Sequence, residues 1–320
     1  MTPTERGIFE QFSYWNQAQM PNQLPSDARK IVVIGCGTSY NLALSIASVL
    51  CEQNYSAQAV PAGEWLVRPQ CYVPHSALKY VQVIALSRSG TTTETVQAAA
   101  ASQALGQHVT GITCYPGSAI CDVSDIAIEF ETHPDEGIVM TASASLMLLA
   151  GFALAGLKVD AALSAKADKM LRAFNEIAVS DYADRTHFVF LGGGPNYGIA
   201  LEGALKLQEM AICFTQGFHP GEYRHGPVSL VDERTAAVIL YHPKTARQEA
   251  KLAQELQDKG AFVIGMGGPG DATVPMSAPG SLVAAEVLPA LQILGERYAA
   301  AHNIDTQTPR HLTKVVLLED

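Results

Sequence analysis

Short runs of apolar, largely β-branched residues alternate along the chain with longer segments of helical periodicity. Residues 30–34 and 80–86 are two such runs, and helical segments follow them at residues 39–50 and 92–103. Apolar strands between helices are typical of a parallel sheet that is covered on both faces. The pattern therefore predicts an α/β fold made of three-layer α/β/α sandwiches with mainly parallel sheets.

The same pattern begins again after a helical segment at residues 161–180. A strand at residues 187–191 leads through three glycines into a helix at residues 197–211. Strand, glycine turn and helix thus occur twice, at residues 31–50 and 188–211, which predicts two tandem copies of one module. We expect five segments along the chain: an N-terminal helical arm (1–29), a first module (30–160), a helical linker (161–183), a second module (184–303) and a C-terminal tail (304–320).

The composition excludes several classes of protein. The 320 residues are 48% hydrophobic and only 16% charged, which predicts large buried cores rather than disorder. The 21 Lys and Arg residues are outnumbered by 31 Asp and Glu, and the net charge is −10. An acidic chain without a dense basic stripe lacks the charge that holds a nucleic acid, so we expect no nucleic-acid partner.

Cysteine spacing and hydropathy indicate the compartment. The six cysteines form no C-x-x-C pair, and the nine histidines show no paired metal-ligand spacing, so we expect reduced thiols and no metal site. Residues 1–23 have no apolar core of an export signal, and no apolar run reaches the roughly 20 residues of a membrane span. These features predict a soluble, cytoplasmic protein with no membrane partner.

The turn that follows the strand at residues 30–34 is the first candidate anion site. Gly35 and Gly37 allow a tight turn, and Thr38 and Ser39 offer hydroxyls beside the free N–H groups of a helix N-terminus. Tyr40 stands where the dinucleotide-binding fingerprint needs its third glycine, and no G-K-[ST] follows. This turn alone is equally well explained as an ordinary glycine turn with a serine cap.

The next strand ends in a second polar turn. Six of the nine side chains from Ser87 to Thr95 carry hydroxyls, and Arg88 and Gly90 lie among them. Helix capping needs only one or two of these hydroxyls, so the segment favours phosphate binding. Two such turns at neighbouring strand ends predict a ligand in the crevice outside the carboxyl edge of the sheet.

These two motifs together resemble the sugar isomerase (SIS) domain family of phosphosugar-binding proteins. Three further segments extend the resemblance to the isomerase part of glucosamine-6-phosphate synthase and to related amino-sugar-phosphate deaminases and deglycases: A-L-E-G-A-L-K-L-Q-E (200–209), G-E-Y-R-H-G-P (221–227) and P-R-H-L-T-K (309–314). The resemblance covers residues 30 to 320. It implies two SIS modules, a sugar-phosphate ligand, no cofactor, and a homodimer with a shared active site.

The resemblance also implies roles for individual residues of the first module. The residues that match the sugar-phosphate site are Ser87, Arg88, Ser89 and Thr92. The residues that match the turn lining the sugar are Cys36, Gly37, Thr38 and Ser39. Thr141 matches another substrate-contacting hydroxyl, but the synthase pattern S-T-K-A-F is replaced by T-A-S-A-S (141–145), so a lysine is missing there.

In the second module, Glu202, Lys206 and Glu209 lie at i, i+4 and i+7 and so share one face of the predicted helix. Glu202 and Lys206 are equally well interpreted as substrate-binding residues and as a routine ion pair. Glu209 matches the glutamate of the family that transfers a proton between C1 and C2 of the sugar. One carboxylate facing that edge of the sugar is enough for both halves of the transfer.

Two more residues match catalytic positions. His225 occupies the place of the histidine that opens the sugar ring, and its position in a loop punctuated by glycine and proline favours contact with ligand or solvent over core packing. Its alternative is an ordinary surface histidine. Lys314 matches a lysine that closes over the sugar and forms an imine with the open-chain carbonyl. Its alternative is a solvated lysine in the tail.

The direction of the reaction follows from the length before the first strand. About thirty residues leave no room for the glutaminase domain of the synthase, so we expect hydrolytic release of an amine from an amino-linked hexose 6-phosphate. The alternatives are an aldose–ketose isomerase that releases no amine and a non-catalytic phosphosugar sensor. The sequence does not choose among glucosamine 6-phosphate, galactosamine 6-phosphate and sugar–amino-acid adducts.

Overall fold

The computed structural model describes residues 1–25 and 30–316, and its contacts divide the chain into two compact units. The first unit comprises Ser13–Glu136, Met140–Ala161 and the chain from Thr313 onward. The second unit comprises Met1–Phe12, Gly137–Val139 and Ala162–Leu312. Each unit has its own sheet and its own cluster of buried apolar side chains.

The chain begins with helix α1 (Pro3–Gln17). The strands of the first unit are β1 (Lys30–Gly35), β2 (Ser56–Pro61), β3 (Val81–Leu86), β4 (His108–Thr113) and β5 (Ile126–Glu129). Its helices are α2 (Thr38–Glu52), α3 (Ala62–Val67), α4 (Thr93–Ala104), α5 (Ala119–Asp122) and α6 (Ala142–Leu154). All five strands run parallel, in the order β2-β1-β3-β4-β5.

The second unit repeats this arrangement. Its strands are β6 (His187–Gly192), β7 (Phe214–Phe218), β8 (Thr235–Leu240), β9 (Phe262–Met266) and β10 (Ala272–Val274). Its helices are α7 (Ala161–Asn175), α8 (Pro195–Ala211), α9 (Pro220–Tyr223), α10 (Ala246–Gln257) and α11 (Val283–Ala301). The strands are again parallel, in the order β7-β6-β8-β9-β10.

The two units therefore share one topology, which confirms the α/β class with parallel sheets. Their first turns agree in detail: Gly37 has φ 54° and ψ −125°, and Gly194 has φ 57° and ψ −133°. In both turns the last glycine of the strand packs against the helix that follows. A Cβ at Gly35 would lie 2.7 Å from the backbone of Ser39, and one at Gly192 would lie 2.3 Å from that of Asn196.

Strands β2, β7 and β10 lack the continuous apolar run that predicts a central strand. Each lies at the edge of its sheet or is very short. In β2 only Val60 is buried, and in β7 only Thr215 is. An edge strand needs no continuous apolar run, so the pattern that reveals central strands does not reveal these.

Helix α6 has no polar face, because every one of its residues is buried. Gly151 allows α2 to approach it closely, because a Cβ there would lie 2.3 Å from Ile46. A helix without a polar face must have its ends satisfied locally, since water reaches none of its length.

Candidate functional site

The turn after β1 places four of the predicted site residues at the start of α2. The backbone N–H of Ser39 donates to the carbonyl of Cys36 at 3.1 Å, and that of Tyr40 donates to the carbonyl of Gly37 at 3.0 Å. Thr38 and Ser39 are both buried. Burial raises the pKa of the Cys36 thiol, so this cysteine stays protonated at neutral pH.

The turn after β3 brings three of the four predicted phosphate-binding residues together at the start of α4, namely Ser87, Ser89 and Thr92, whereas the Arg88 side chain lies against Lys314. The hydroxyl of Ser87 donates to that of Thr92 at 3.4 Å, and the hydroxyl of Ser89 accepts the backbone N–H of Thr91 at 3.2 Å. Gly90 has φ 64°, and a Cβ there would lie 1.8 Å from the Ser118 hydroxyl. Both the conformation and the packing of this turn therefore require glycine.

These two turns are neighbours in the first unit. β1 pairs with β3 in parallel, with Ile34 opposite Ala85, so both turns leave the same edge of the sheet. The Cys36 thiol lies 3.6 Å from the hydroxyl of Thr95 on α4. Two helix N-termini with hydroxyls between them form a setting that favours an anion of the size of a phosphate.

The second unit offers an internal comparison for the β3 turn. The counterpart turn follows β8, and both turns begin with the same hydrogen bond to the neighbouring strand. The backbone N–H of Ser87 donates to a carbonyl of β4, and that of Tyr241 donates to a carbonyl of β9. In the second unit the buried carboxylate of Glu249 accepts the N–H of His242 at 2.8 Å and the hydroxyl of Thr245 at 2.7 Å. This turn geometry thus accepts a negative charge within the same chain.

Arg88 and Lys314 meet in the first unit. The Arg88 guanidinium donates to the backbone carbonyl of Lys314 at 2.9 Å. The Lys314 ammonium donates to the backbone carbonyl of Glu136 at 3.3 Å and lies 5.5 Å from the centre of the Tyr115 ring. Both side chains line a cavity of about 290 Å³ that also has His133 on its wall.

Thr141 is the N-cap residue of α6, and its surroundings are dominated by Glu136. The Thr141 hydroxyl donates to that carboxylate at 3.2 Å and the Ser143 hydroxyl donates at 2.8 Å, while Thr132 donates at 2.6 Å. Glu136 is buried at the N-terminus of the helix, where a negative charge is stabilised. The hydroxyl of Ser143, which stands where the family pattern has a lysine, is one of its donors.

Helix α8 holds Glu202, Lys206 and Glu209 on one face, as the spacing predicts. Lys206 has no exposed surface and lies 3.4 Å from Glu202, which has none either. The same ammonium also bonds Glu209, whose side chain is 21% exposed. Burial lowers the pKa of Lys206, but the charges of Glu209 and Glu202 outweigh burial and leave it raised. Lys206 is thus a fixed cation beneath a carboxylate that reaches solvent.

His225 lies in the loop after α9 and is exposed. Its backbone N–H donates to the carbonyl of Glu222 at 3.0 Å. His219, at the other end of α9, stacks on Tyr197 with 3.8 Å between ring centres. Burial lowers the pKa of His219, and the nearby charge of Glu222 opposes this.

Glu136 and Glu249 are among the buried carboxylates that sequence reasoning missed. Each one is bonded to donors at the start of a helix, which helps to explain why its burial is tolerated. The sequence does contain a pattern that points to Glu136, which is an acidic residue shortly before a long apolar run. Glu249 stands inside an amphipathic helix and carries no such signal.

A protein-family model described as the SIS domain matches residues 26–155 and 181–277. The glutamine–fructose-6-phosphate aminotransferase of Gloeobacter violaceus is 29% identical, over 94% of this chain and 54% of its own. That of Caulobacter vibrioides is 31% identical, over 91% of this chain and 52% of its own. The chain therefore spans about half the length of these curated relatives.

Solved structures match over whole chains. Glucosamine-6-phosphate deaminase from Thermotoga maritima has a TM-score of 0.83 at 29% identity and covers 99% of this chain and 100% of its own. Tagatose-6-phosphate ketose/aldose isomerase from Escherichia coli has a TM-score of 0.79 at 21% identity and covers 99% and 96%. At 21% identity this second likeness is one of fold alone.

Within residues 1–25 and 30–316, which the structure describes, no helix is long and apolar enough to cross a membrane. Over the same residues, no group of three or more His, Cys, Asp or Glu side chains is arranged to hold a metal ion.

Proposed function

The chain belongs to the SIS domain family, and from that premise we propose that it isomerises an amino-hexose 6-phosphate and releases the amine. The observation that carries the proposal is Glu209, a partly exposed carboxylate bonded to a fully buried lysine. In this proposal the first unit binds the phosphate, Glu209 moves the proton, and His225 assists ring opening.

Phosphate binding is supported by the two polar turns of the first unit. Ser87, Ser89 and Thr92 offer hydroxyls beside the N-terminus of α4, and the neighbouring turn adds Thr38 and Ser39. The turn after β8 in the second unit supports this assignment, because it accepts the buried carboxylate of Glu249 in the corresponding place. We therefore assign the sugar phosphate to the turn after β3 and the sugar to the turn after β1.

The chemistry requires one base that serves two neighbouring carbons. Glu209 takes the proton from C2 of the open-chain amino aldehyde. The C2–H electrons form a C1=C2 double bond, while the C1=O π electrons move to O1, which takes a proton from water. The same carboxyl group returns the proton to C1, which gives an imine at C2. Water then adds to that carbon, the C–N bond breaks, and a ketose 6-phosphate and ammonia result. Lys206 holds the carboxylate in place for the first step.

His225 and Lys314 take the roles that the family resemblance implies. A neutral imidazole accepts the anomeric proton and delivers a proton to the ring oxygen, so that C1–O5 breaks and C1=O forms. The Lys314 ammonium donates to a backbone carbonyl here, so it must leave that contact and lose a proton before it forms an imine. Glu202, with no exposed surface, acts on the substrate only through Lys206 in this scheme.

Amine release is the finer part of the proposal. It is supported by the Thermotoga maritima deaminase, which matches over the whole of both chains at an identity above that of the other structures described. The coarser statement, a phosphosugar isomerase of the SIS family, is supported by every one of these relatives. We also propose a cytoplasmic homodimer in which the exposed His225 completes the partner's site.

An assay with a panel of substrates tests the proposal. Glucosamine 6-phosphate, galactosamine 6-phosphate, a fructose 6-phosphate adduct of an amino acid and fructose 6-phosphate are each incubated with the protein, and both amine and sugar phosphate are measured. Glu209→Gln is expected to reduce turnover by about 10²- to 10⁴-fold, the usual contribution of a positioned base. Glu233→Gln, which alters an exposed carboxylate of the same unit, serves as the matched control.

The outcomes separate the alternatives. Ammonia from an amino-hexose phosphate, lost in Glu209→Gln and kept in Glu233→Gln, supports the proposal. Interconversion of fructose 6-phosphate without amine release from any substrate replaces it with the plain isomerase. Binding of sugar phosphates without any turnover replaces it with the sensor, and full activity of Glu209→Gln removes the mechanism.

A further inference from the structure

The backbone on both sides of His225 is fixed. Tyr223, two residues before it, is fully buried in the apolar cluster of the second unit and packs against Phe218. Gly226, directly after it, has φ 123° and ψ −58°, a conformation that other residues rarely adopt. His225 itself is exposed. The main chain of this loop is thus constrained on both sides of His225, while the imidazole itself is exposed to solvent.

Arg224 is the residue that ties this loop to a helix. Its Nε donates to one carboxylate oxygen of Glu255 at 2.9 Å, and its terminal nitrogen donates to the other at 3.2 Å. The same nitrogen donates to the backbone carbonyl of Gln248 at 3.3 Å. Two parallel bonds between a guanidinium and a carboxylate fix orientation as well as distance.

Glu255, the partner of Arg224, lies on a helix that is anchored in the apolar core of the second unit. Glu255 is on α10, whose Leu252 and Leu256 are fully buried in the same apolar cluster as Tyr223. Hydrogen bonds from Arg224 lower the pKa of Glu255, so the pair remains charged at neutral pH. The side chains are 31% and 47% exposed. A pair so open to water contributes little to overall stability, and a local role accounts better for its geometry.

We propose that Arg224 and Glu255 are positioning residues, which hold the loop so that the imidazole of His225 faces the ring oxygen and anomeric hydroxyl of the sugar. The inference rests on the proposed function, since it takes His225 as the ring-opening group. Neither residue touches the substrate in this scheme. Displacement of a catalytic group by about 1 Å is enough to cost up to 10²-fold in rate.

The test compares a substrate that must open with one that is already open. Glucosamine 6-phosphate exists as a ring, and its turnover is followed by ammonia release. 5-Deoxyfructose 6-phosphate lacks the hydroxyl that closes the ring, so exchange of its C1 hydrogen in D₂O reports proton transfer by Glu209 alone. Both are measured for Arg224→Ala, Glu255→Ala and the double variant. Arg234→Ala is the control, because it removes a different arginine–carboxylate pair, Arg234–Asp232, of the same unit.

We expect Arg224→Ala and Glu255→Ala each to reduce ammonia release by about tenfold, with deuterium exchange unchanged and the double variant no slower than either. Equal loss of both reactions overturns the inference, because a merely structural pair affects both alike. Unchanged ammonia release also overturns it while the proposed function stands. A wild-type protein that is inactive in deuterium exchange and on every amino sugar of the panel overturns the proposed function itself. Should Arg224→Ala fail to fold, Glu255→Gln decides by the same two rates.

Discussion

Lys206 and Glu202 form an ion pair on α8 in which neither side chain has any exposed surface, with 3.4 Å between the nitrogen and the nearer oxygen. The ammonium is shared with Glu209, the carboxylate that reaches solvent. Taking charges out of water costs free energy that is recovered only while every partner is present. The proposed base therefore depends on a buried cation on its own helix.

Replacing Lys206 with methionine leaves the Glu202 carboxylate buried without its counter-ion. We expect Lys206→Met to lose about 3–5 kcal/mol of unfolding free energy, and Lys206→Met with Glu202→Gln to recover part of it. Urea denaturation measures both. A single variant as stable as the wild type would show that Glu202 takes up a proton at no cost, against the ion pair described here.

Spacing alone places Glu202, Lys206 and Glu209 on one face, and the structure has them there. Spacing does not predict that Lys206 is dry, because Glu and Lys four residues apart are typical of exposed faces. Burial arises from α11, where Gly295 brings the two helices close enough that a Cβ would lie 2.9 Å from Met210. That contact joins residues far apart in sequence, which no local pattern records.

The phosphate turn makes a sharp prediction at Gly90. Alanine there must adopt φ 64° and would collide with Ser118, so we expect Gly90→Ala to weaken sugar-phosphate binding by at least about tenfold. Gly117→Ala is the matched control, since Gly117 also has a positive φ of 69° but has open space around it. Calorimetric titration with glucosamine 6-phosphate measures both. Equal affinities for the two variants would mean that the turn does not hold the phosphate.

Glu249 provides a test of the internal comparison between the two units. Its removal leaves the N–H of His242 and the start of α10 without their anion, so we expect Glu249→Ala to lose about 1–3 kcal/mol of unfolding free energy. Sulfate is expected to raise the melting temperature of this variant more than that of the wild type, because the ion replaces the carboxylate. The same gain from sulfate in both proteins would contradict an anion-accepting turn in the second unit.

His219 gives the stability a dependence on pH whose sign follows from its burial. Its folded-state pKa lies below the ordinary value near 6.5, with Glu222 as the opposing charge, so the unfolded chain binds the proton more tightly. The contribution of His219 to stability is complete above the unfolded-state pKa near 6.5. It is lost as the pH falls from there through the lower folded-state pKa. His219→Phe keeps a ring against Tyr197 and does not titrate. The urea midpoint should fall less between about pH 7.5 and about pH 5.5 in this variant than in the wild type. An equal fall in the two proteins would exclude His219 as a source of the acid sensitivity.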